Sequence, residues 1–425
     1  MIECLEKLHH AGFSAYLYGF SAIDSWLDRN VLKNNQAGIF ILTNAGIAHL
    51  AKLYENLRYP GAAVADAAMD YKNLKIYFFC NDDEGDGGAS SVLKNNHLSF
   101  KLLEFYRDCK SRVFYDPRGI YPLLAEIRRG LIRCPQAAGK KDIRSPQKSG
   151  KNIEGRLQQS PFEILHEGLN PRVERGKAVT DAALILSKYF SQGAEAERQI
   201  KKITGLLDSL YDGAAAGQEE QRLLLISLMA SDNPGPGLEL LKACGFIRRY
   251  WPELAALDEA DHSKEFHPEG NVWKHTMETF RYRKNGSCDL RLSLGLLLHD
   301  AGKPVAVSKG SKRFDGHAEL GEAIARKFLG RLGFEAPLIN DVCFLVRYHM
   351  ITAALPRLPF FRTAQIMSSD LFPVLLELYR CDESSSFKGL DGYYESSMAY
   401  QSFLRNKRNP YRSADGKKLN NRQLV

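Results

Sequence analysis

The sequence predicts an α+β chain, with an α/β head at the N-terminus and an all-helical remainder. Three observations carry this. Short runs rich in aromatic and branched residues lie before about Cys134 and fade after it. Beyond about Pro161 the apolar residues recur at helical spacing. Between the two lies a stretch rich in Gly, Ser, Pro and Lys that reads as a linker. With 425 residues, and about 100–200 residues per domain, the chain has room for two to four domains.

In order, Ala15–Gly19, Gly38–Thr43 and Leu74–Cys80 read as strands, and Val113–Asp116 as a strand entering the turn made by Pro117 and Gly119. Asn81–Ser91 reads as an acidic, glycine-rich loop. Then Val179–Phe190, Ala194–Asp212, Glu219–Met229 and Leu238–Cys244 are helical by length and spacing, and helices continue to about Leu404.

The formal charge of +8 is uneven. Arg128–Arg156 holds nine basic residues against Asp142 and Glu154, a net +7, and Arg405–Val425 holds seven against Asp415, a net +6. The rest of the chain is therefore −5, a mildly acidic body. The two basic segments suit phosphate contact, and Tyr411 is placed to stack on a base. The eight cysteines contain no CxxC pair, the start carries Glu3 and Glu6 instead of a signal-peptide core, and Leu294–Leu298 is far too short to span a bilayer. The expectation is a cytoplasmic protein that does not enter a membrane.

Six of the 11 histidines lie between His262 and His349. Leu371, Val374, Leu375 and Leu378 form a helical stripe that Asp382 continues, and His349 follows Val342, Leu345 and Val346 in the same way. A carboxylate on a buried face must be paired, hydrogen-bonded or metal-bound. His299 and Asp300 end the run Leu296–Leu298. Adjacent helical residues point about 100° apart, so such a pair can converge on one ion beside the helix. His275 sits on a further helix, Val272–Phe280. Imidazoles and carboxylates from four helices make a donor set for a divalent transition metal or a dinuclear centre.

The order His275, His299-Asp300, His317, His349, Asp382, with the run His299-Asp300-Ala301-Gly302-Lys303-Pro304, resembles the HD superfamily of metal-dependent phosphohydrolases. The resemblance implies that His275, His299, Asp300 and Asp382 hold one metal. His317 and His349 then form a second site bridged by Asp300, with Lys303 near the substrate phosphate. The segment Phe266–Thr276, together with Leu238–Leu241 and Trp251–Leu254, looks like bacterial tRNA nucleotidyltransferases, the CCA-adding and poly(A) polymerase family. That resemblance implies a polymerase-β-like nucleotidyltransferase head at 1–135 and a basic linker at 136–160. A helical, RNA-binding-like neck follows at 161–255, then a helical HD domain at 256–404 and a basic tail at 405–425.

The head departs from that family at its nucleotide-handling positions. Tyr16–Asp24 falls where the family has a Gly-Gly-x-x-Arg-Asp turn, keeping Gly19 and Asp24 but reading Phe20 and Ile23. The two metal-binding Asp positions read Gly38 and Phe40, the nucleotide-reading motif gives His97, Leu98 and Ser99, and the neck arginines appear as Leu184 and Ser187. Transfer by this fold needs paired carboxylates for two Mg²⁺ ions. The expectation is therefore a metal-dependent phosphohydrolase with Asp300 and Lys303 catalytic and one or two divalent ions (Mn, Fe, Ni, Co or Mg). Its substrate would be a nucleotide, a 2′,3′-cyclic phosphate or an RNA 3′ end, with tRNA as a partner, and the transferase site would be inactive. Two readings stay open beside it: a working tRNA nucleotidyltransferase with migrated carboxylates, and a non-catalytic RNA-binding protein.

Overall fold

A computed structural model of the chain describes residues 3–27, 38–61, 64–72, 74–80, 100–122, 124–125, 175–190, 193–206, 216–261, 270–284, 289–308, 314–386, 389–409, 411–413 and 415–418. The Asn81–Ser91 loop, positions 97–99, the basic stretch 128–156 and residues 266–269 lie outside the described residues. The chain divides into two compact units, Met1–Gly245 and Phe246–Val425.

The first unit is built on a mixed seven-stranded sheet. Its strands are β1 (Ala15–Tyr18), β2 (Ile39–Thr43), β3 (Leu57–Arg58), β4 (Ala67–Tyr71), β5 (Leu74–Cys80), β6 (Tyr106–Asp108) and β7 (Phe114–Tyr115), in the order β3-β4-β5-β2-β1-β6-β7. β2 runs antiparallel to β1 and parallel to β5, so the centre of the sheet is made by runs whose side chains are buried on both faces. β4 is a difference from the sequence reading. Its Ala-Ala-Met-Asp-Tyr has little strand propensity, and it forms because β5 supplies a five-residue antiparallel partner after a tight turn with Lys72 at φ 55°. A helix, Phe20–Trp26, follows β1 directly.

Helices Arg175–Tyr189, Ala194–Leu206, Gln218–Met229 and Pro234–Ala243 complete this unit. The last begins four residues before the expected Leu238, because Pro234 occupies its first turn, where no backbone N–H is needed.

The second unit is helical. Among its described elements are Val272–Thr279, Leu290–Leu298, Lys303–Ser308, His317–Arg331, Ala336–Ala354, Phe360–Met367, Phe372–Ser384 and Asp391–Lys407. Its core packs many leucines around Phe246, Trp251, Trp273, Phe280, Phe328 and Phe372, all fully buried. The last helix carries Arg405 and Lys407, so the start of the basic tail is helical. No helix among the described residues is long and apolar enough to cross a membrane.

Asp289 starts the Leu290–Leu298 helix by accepting the Arg291 backbone N–H at 2.9 Å, and it also takes the Arg291 guanidinium at 2.7 and 3.0 Å. Burial pushes its pKa up, but the hydrogen bonds and charge of Arg291 outweigh this and hold it below the usual value. A lowered folded-state pKa stabilises above the ordinary carboxylate range and is lost as pH falls through the folded value. Asp289→Ala is therefore expected to cost about 1 kcal/mol at neutral pH, with the difference from wild type shrinking in acid. Urea unfolding at both pH values checks this.

Candidate metal centre

Five elements of the helical unit bring the six expected side chains together. The Val272–Thr279 helix presents His275, and the end of Leu290–Leu298 presents His299 and then Asp300. His317 opens its own helix after Gly316, His349 lies in the Ala336–Ala354 helix, and Asp382 lies near the end of Phe372–Ser384. All are buried except Asp382, whose side chain is 25% exposed because the buried face of its helix is Phe372, Leu375, Leu376, Leu378, Tyr379 and Cys381. The stripe read from Leu371 is thus rotated from the true inner face.

Asp300 stands at the centre. Its Oδ2 is 3.3 Å from His299 Nε2 and 3.8 Å from His275 Nε2, while its Oδ1 is 3.5 Å from His317 Nε2 and 3.8 Å from His349 Nε2. His275 Nε2 lies 2.9 Å from Asp382 Oδ1. Two donor groups result, His275/His299/Asp382 and Asp300/His317/His349, each with donor atoms within 4.8 Å of one another. Burial pushes the Asp300 pKa up, but the charges of His299, Lys303 and His275 hold it well below the usual range. Lys303 Nζ donates to Asp300 Oδ2 at 2.6 Å and lies over the Phe314 ring.

The approach of these helices depends on Gly302. A Cβ there would lie 2.0 Å from the His317 carbonyl oxygen and 2.6 Å from Gly321 N, so the turn after Asp300 packs backbone to backbone on the helix that carries His317.

Residues 272–368 match the HD domain family. The helical unit carries an HD domain. Among curated relatives, the CC-adding tRNA nucleotidyltransferase of Thermus thermophilus is 33% identical over 40% of this chain and 40% of its own length. The multifunctional CCA protein of Halorhodospira halophila is 34% identical over 27% of each chain. This chain thus covers well under two thirds of either relative. A solved CCA-adding enzyme from Bacillus stearothermophilus in complex with CTP aligns over 95% of this chain and 81% of that one, at 14% identity and a TM-score of 0.47.

The hydrogen bonds inside the HD domain decide what its imidazoles can hold. His299, His317 and His349 each direct Nδ1 at a backbone carbonyl three residues earlier, those of Leu296, Phe314 and Val346, at 2.9, 2.8 and 2.7 Å. A carbonyl only accepts, so each Nδ1 carries a proton, and wherever the ring is neutral the lone pair lies on Nε2. Burial pushes the His317 pKa down, and it pushes that of His349 down to about 3 with His299 adding to it, so these two rings are neutral. Their Nε2 atoms nevertheless face each other at 3.1 Å, an arrangement of two acceptors that a cation between them relieves. His299 Nε2 is fully buried without a hydrogen-bond partner. The donor set fits a divalent cation.

The head positions lie in the first unit. Gly19 caps the Phe20–Trp26 helix. Asp24 is buried, bonded by Lys188 Nζ and by Tyr189 Oη at 3.3 Å. Gly38 has φ +100°, and a Cβ there would lie 2.4 Å from the Tyr77 ring. Phe40 stacks on Tyr77 with ring centroids 5.5 Å apart and meets Tyr18 and Phe79. Tyr18, Phe40 and Phe79, with Phe20, Leu184 and Leu223, wall a cavity of about 140 Å³, whose charged groups include the pairs Lys188–Asp24 and Lys177–Asp181. No metal-ligand group occurs here among the described residues.

Sequence reasoning missed Ser385 and Phe314. The backbone of Phe314 has φ 56°, a strained conformation that turns its carbonyl onto His317 Nδ1. A bulky residue at such a φ leaves no mark in the sequence.

Proposed function

We propose that the chain is a metal-dependent phosphohydrolase of the HD type, acting on a nucleotide, a 2′,3′-cyclic phosphate or an RNA 3′ end. The observation that carries the reading is the division of Asp300 between two donor groups, one carboxylate oxygen facing each. His275, His299, Asp382 and Asp300 Oδ2 would hold one divalent ion, and His317, His349 and Asp300 Oδ1 a second. Bound there, such ions lower the pKa of water toward about 7 and offset charge on phosphoryl oxygens. The chain's own groups do the rest. The three backbone carbonyls would keep the imidazole lone pairs turned inward, and the Lys303 ammonium, 2.6 Å from Asp300 Oδ2, would meet a substrate phosphate.

The organisation into head 1–135, linker 136–160, neck 161–255, HD domain 256–404 and tail 405–425 belongs to the same reading. So does an inactive transferase head. Its support is that Asp24 is neutralised by Lys188 and that the Tyr77 ring occupies the space a side chain at position 38 would need. The name of the Thermus relative, a tRNA nucleotidyltransferase, supports tRNA as the macromolecule that the basic segments would meet.

The test is a panel of 2′,3′-cyclic nucleotides and simple phosphodiesters with Mn²⁺, Ni²⁺ or Co²⁺. Beside it, labelled ATP or CTP is offered with tRNA lacking its CCA end. Hydrolysis without incorporation is expected. Incorporation would instead establish a working transferase, and metal-replete protein inert on the whole panel, yet binding tRNA, would leave a non-catalytic RNA-binding protein.

A further inference from the structure

His275 differs from the other three imidazoles of the centre. They take their orientation from a carbonyl of their own chain segment three residues back. His275 has Nδ1 3.3 Å from Ser385 Oγ, a hydroxyl that follows the Phe372–Ser384 helix, 110 residues away in sequence. Ser385 is buried, and its hydroxyl lies 2.6 Å from the carbonyl oxygen of Asp382, to which it donates. A hydroxyl has one proton. With that proton spent on the Asp382 carbonyl, Ser385 Oγ can only accept from His275, so Nδ1 carries a proton, and Nε2, 2.9 Å from Asp382 Oδ1, is the nitrogen that would meet a cation.

We infer that Ser385 is a positioning residue for the His275/His299/Asp382 group, setting the His275 tautomer and tying it to the backbone of Asp382. The inference rests on the metal reading proposed above and deepens it. One hydroxyl orients two donors of one group and touches neither His317 nor His349, so its loss should be selective. The three carbonyl-set imidazoles cannot be disarmed by substituting the residue that orients them, because that partner is main chain. His275 can.

The experiment uses the full chain, stripped with a chelator and reloaded with Co²⁺ or Mn²⁺. Metal content, affinity by chelator competition and the Co²⁺ absorption spectrum are read for wild type, Ser385→Ala and Ser385→Thr. Expected are weakening of one ion by about 10–100-fold in Ser385→Ala with the other retained, and recovery in Ser385→Thr. Equal retention of both ions in folded Ser385→Ala overturns the inference while leaving the metal reading intact. A wild-type chain that takes up no metal overturns the metal reading itself. A second measurement needs no variant. In histidine-labelled wild-type protein loaded with Zn²⁺ the His275 ring should carry its proton on Nδ1 in ¹H–¹⁵N spectra, and a ring protonated on Nε2 alone overturns the inference even if Ser385→Ala does not fold.

Discussion

Asp300→Ala is expected to remove metal from both donor groups at once. The two oxygens of this carboxylate face different imidazole pairs, at 3.3 and 3.8 Å on one side and 3.5 and 3.8 Å on the other. No other described carboxylate of the centre reaches both. Asp382 approaches His275 at 2.9 Å and His299 at 3.9 Å only. Loss of an orienting neighbour typically costs 10–100-fold in metal affinity, so loss of the proposed shared ligand should exceed about 100-fold for each ion and abolish the proposed hydrolysis. Asp382→Ala should spare the Asp300/His317/His349 group. Elemental analysis of the purified variants, beside wild type prepared alike, reads the outcome. A doubly loaded Asp300→Ala chain would refute the bridging arrangement.

Gly302→Ala carries the largest expected effect on stability. Its added methyl would meet main chain, the His317 carbonyl at 2.0 Å and Gly321 N at 2.6 Å, and main chain cannot rotate aside. Overpacking costs about 1–3 kcal/mol where side chains can yield, and here the helix bearing His317 must retreat, so about 3 kcal/mol or more is expected together with loss of metal. Gly330→Ala is the matched control. Gly330 is exposed in the same helix, with nothing within 4 Å of where a methyl would sit, and alanine there should stabilise by about 0.5–1 kcal/mol. Denaturant midpoints of the two variants should move in opposite directions.

Much of this was legible in the sequence because it is periodic or local. Val342, Leu345, Val346 and His349 all come out buried on one helix face, as their spacing requires. β1, β2 and β5 are dense in aliphatic and aromatic residues, and they form the middle of the sheet. What was not legible depends on partners remote in the chain. β4 exists because β5 pairs with it, and the inner face of the Phe372–Ser384 helix is set by what packs on it instead of by the stripe that begins at Leu371. Ser385 reaches His275 across 110 residues, and a serine beyond a helix end carries no periodic signal. The Gly302 contact is equally silent, since a glycine that admits main chain looks like one that closes a turn.

The Tyr77 ring beside Gly38 also bears on the order in which this head could change. An aspartate placed at position 38 would meet that ring first, and it would require an acidic residue to hold φ +100°. A carboxylate there therefore demands a prior change at Tyr77, while Asp24 stays engaged by Lys188. Substitution at position 38 is thus conditional on position 77: the ring has to give way before any side chain can stand beside it.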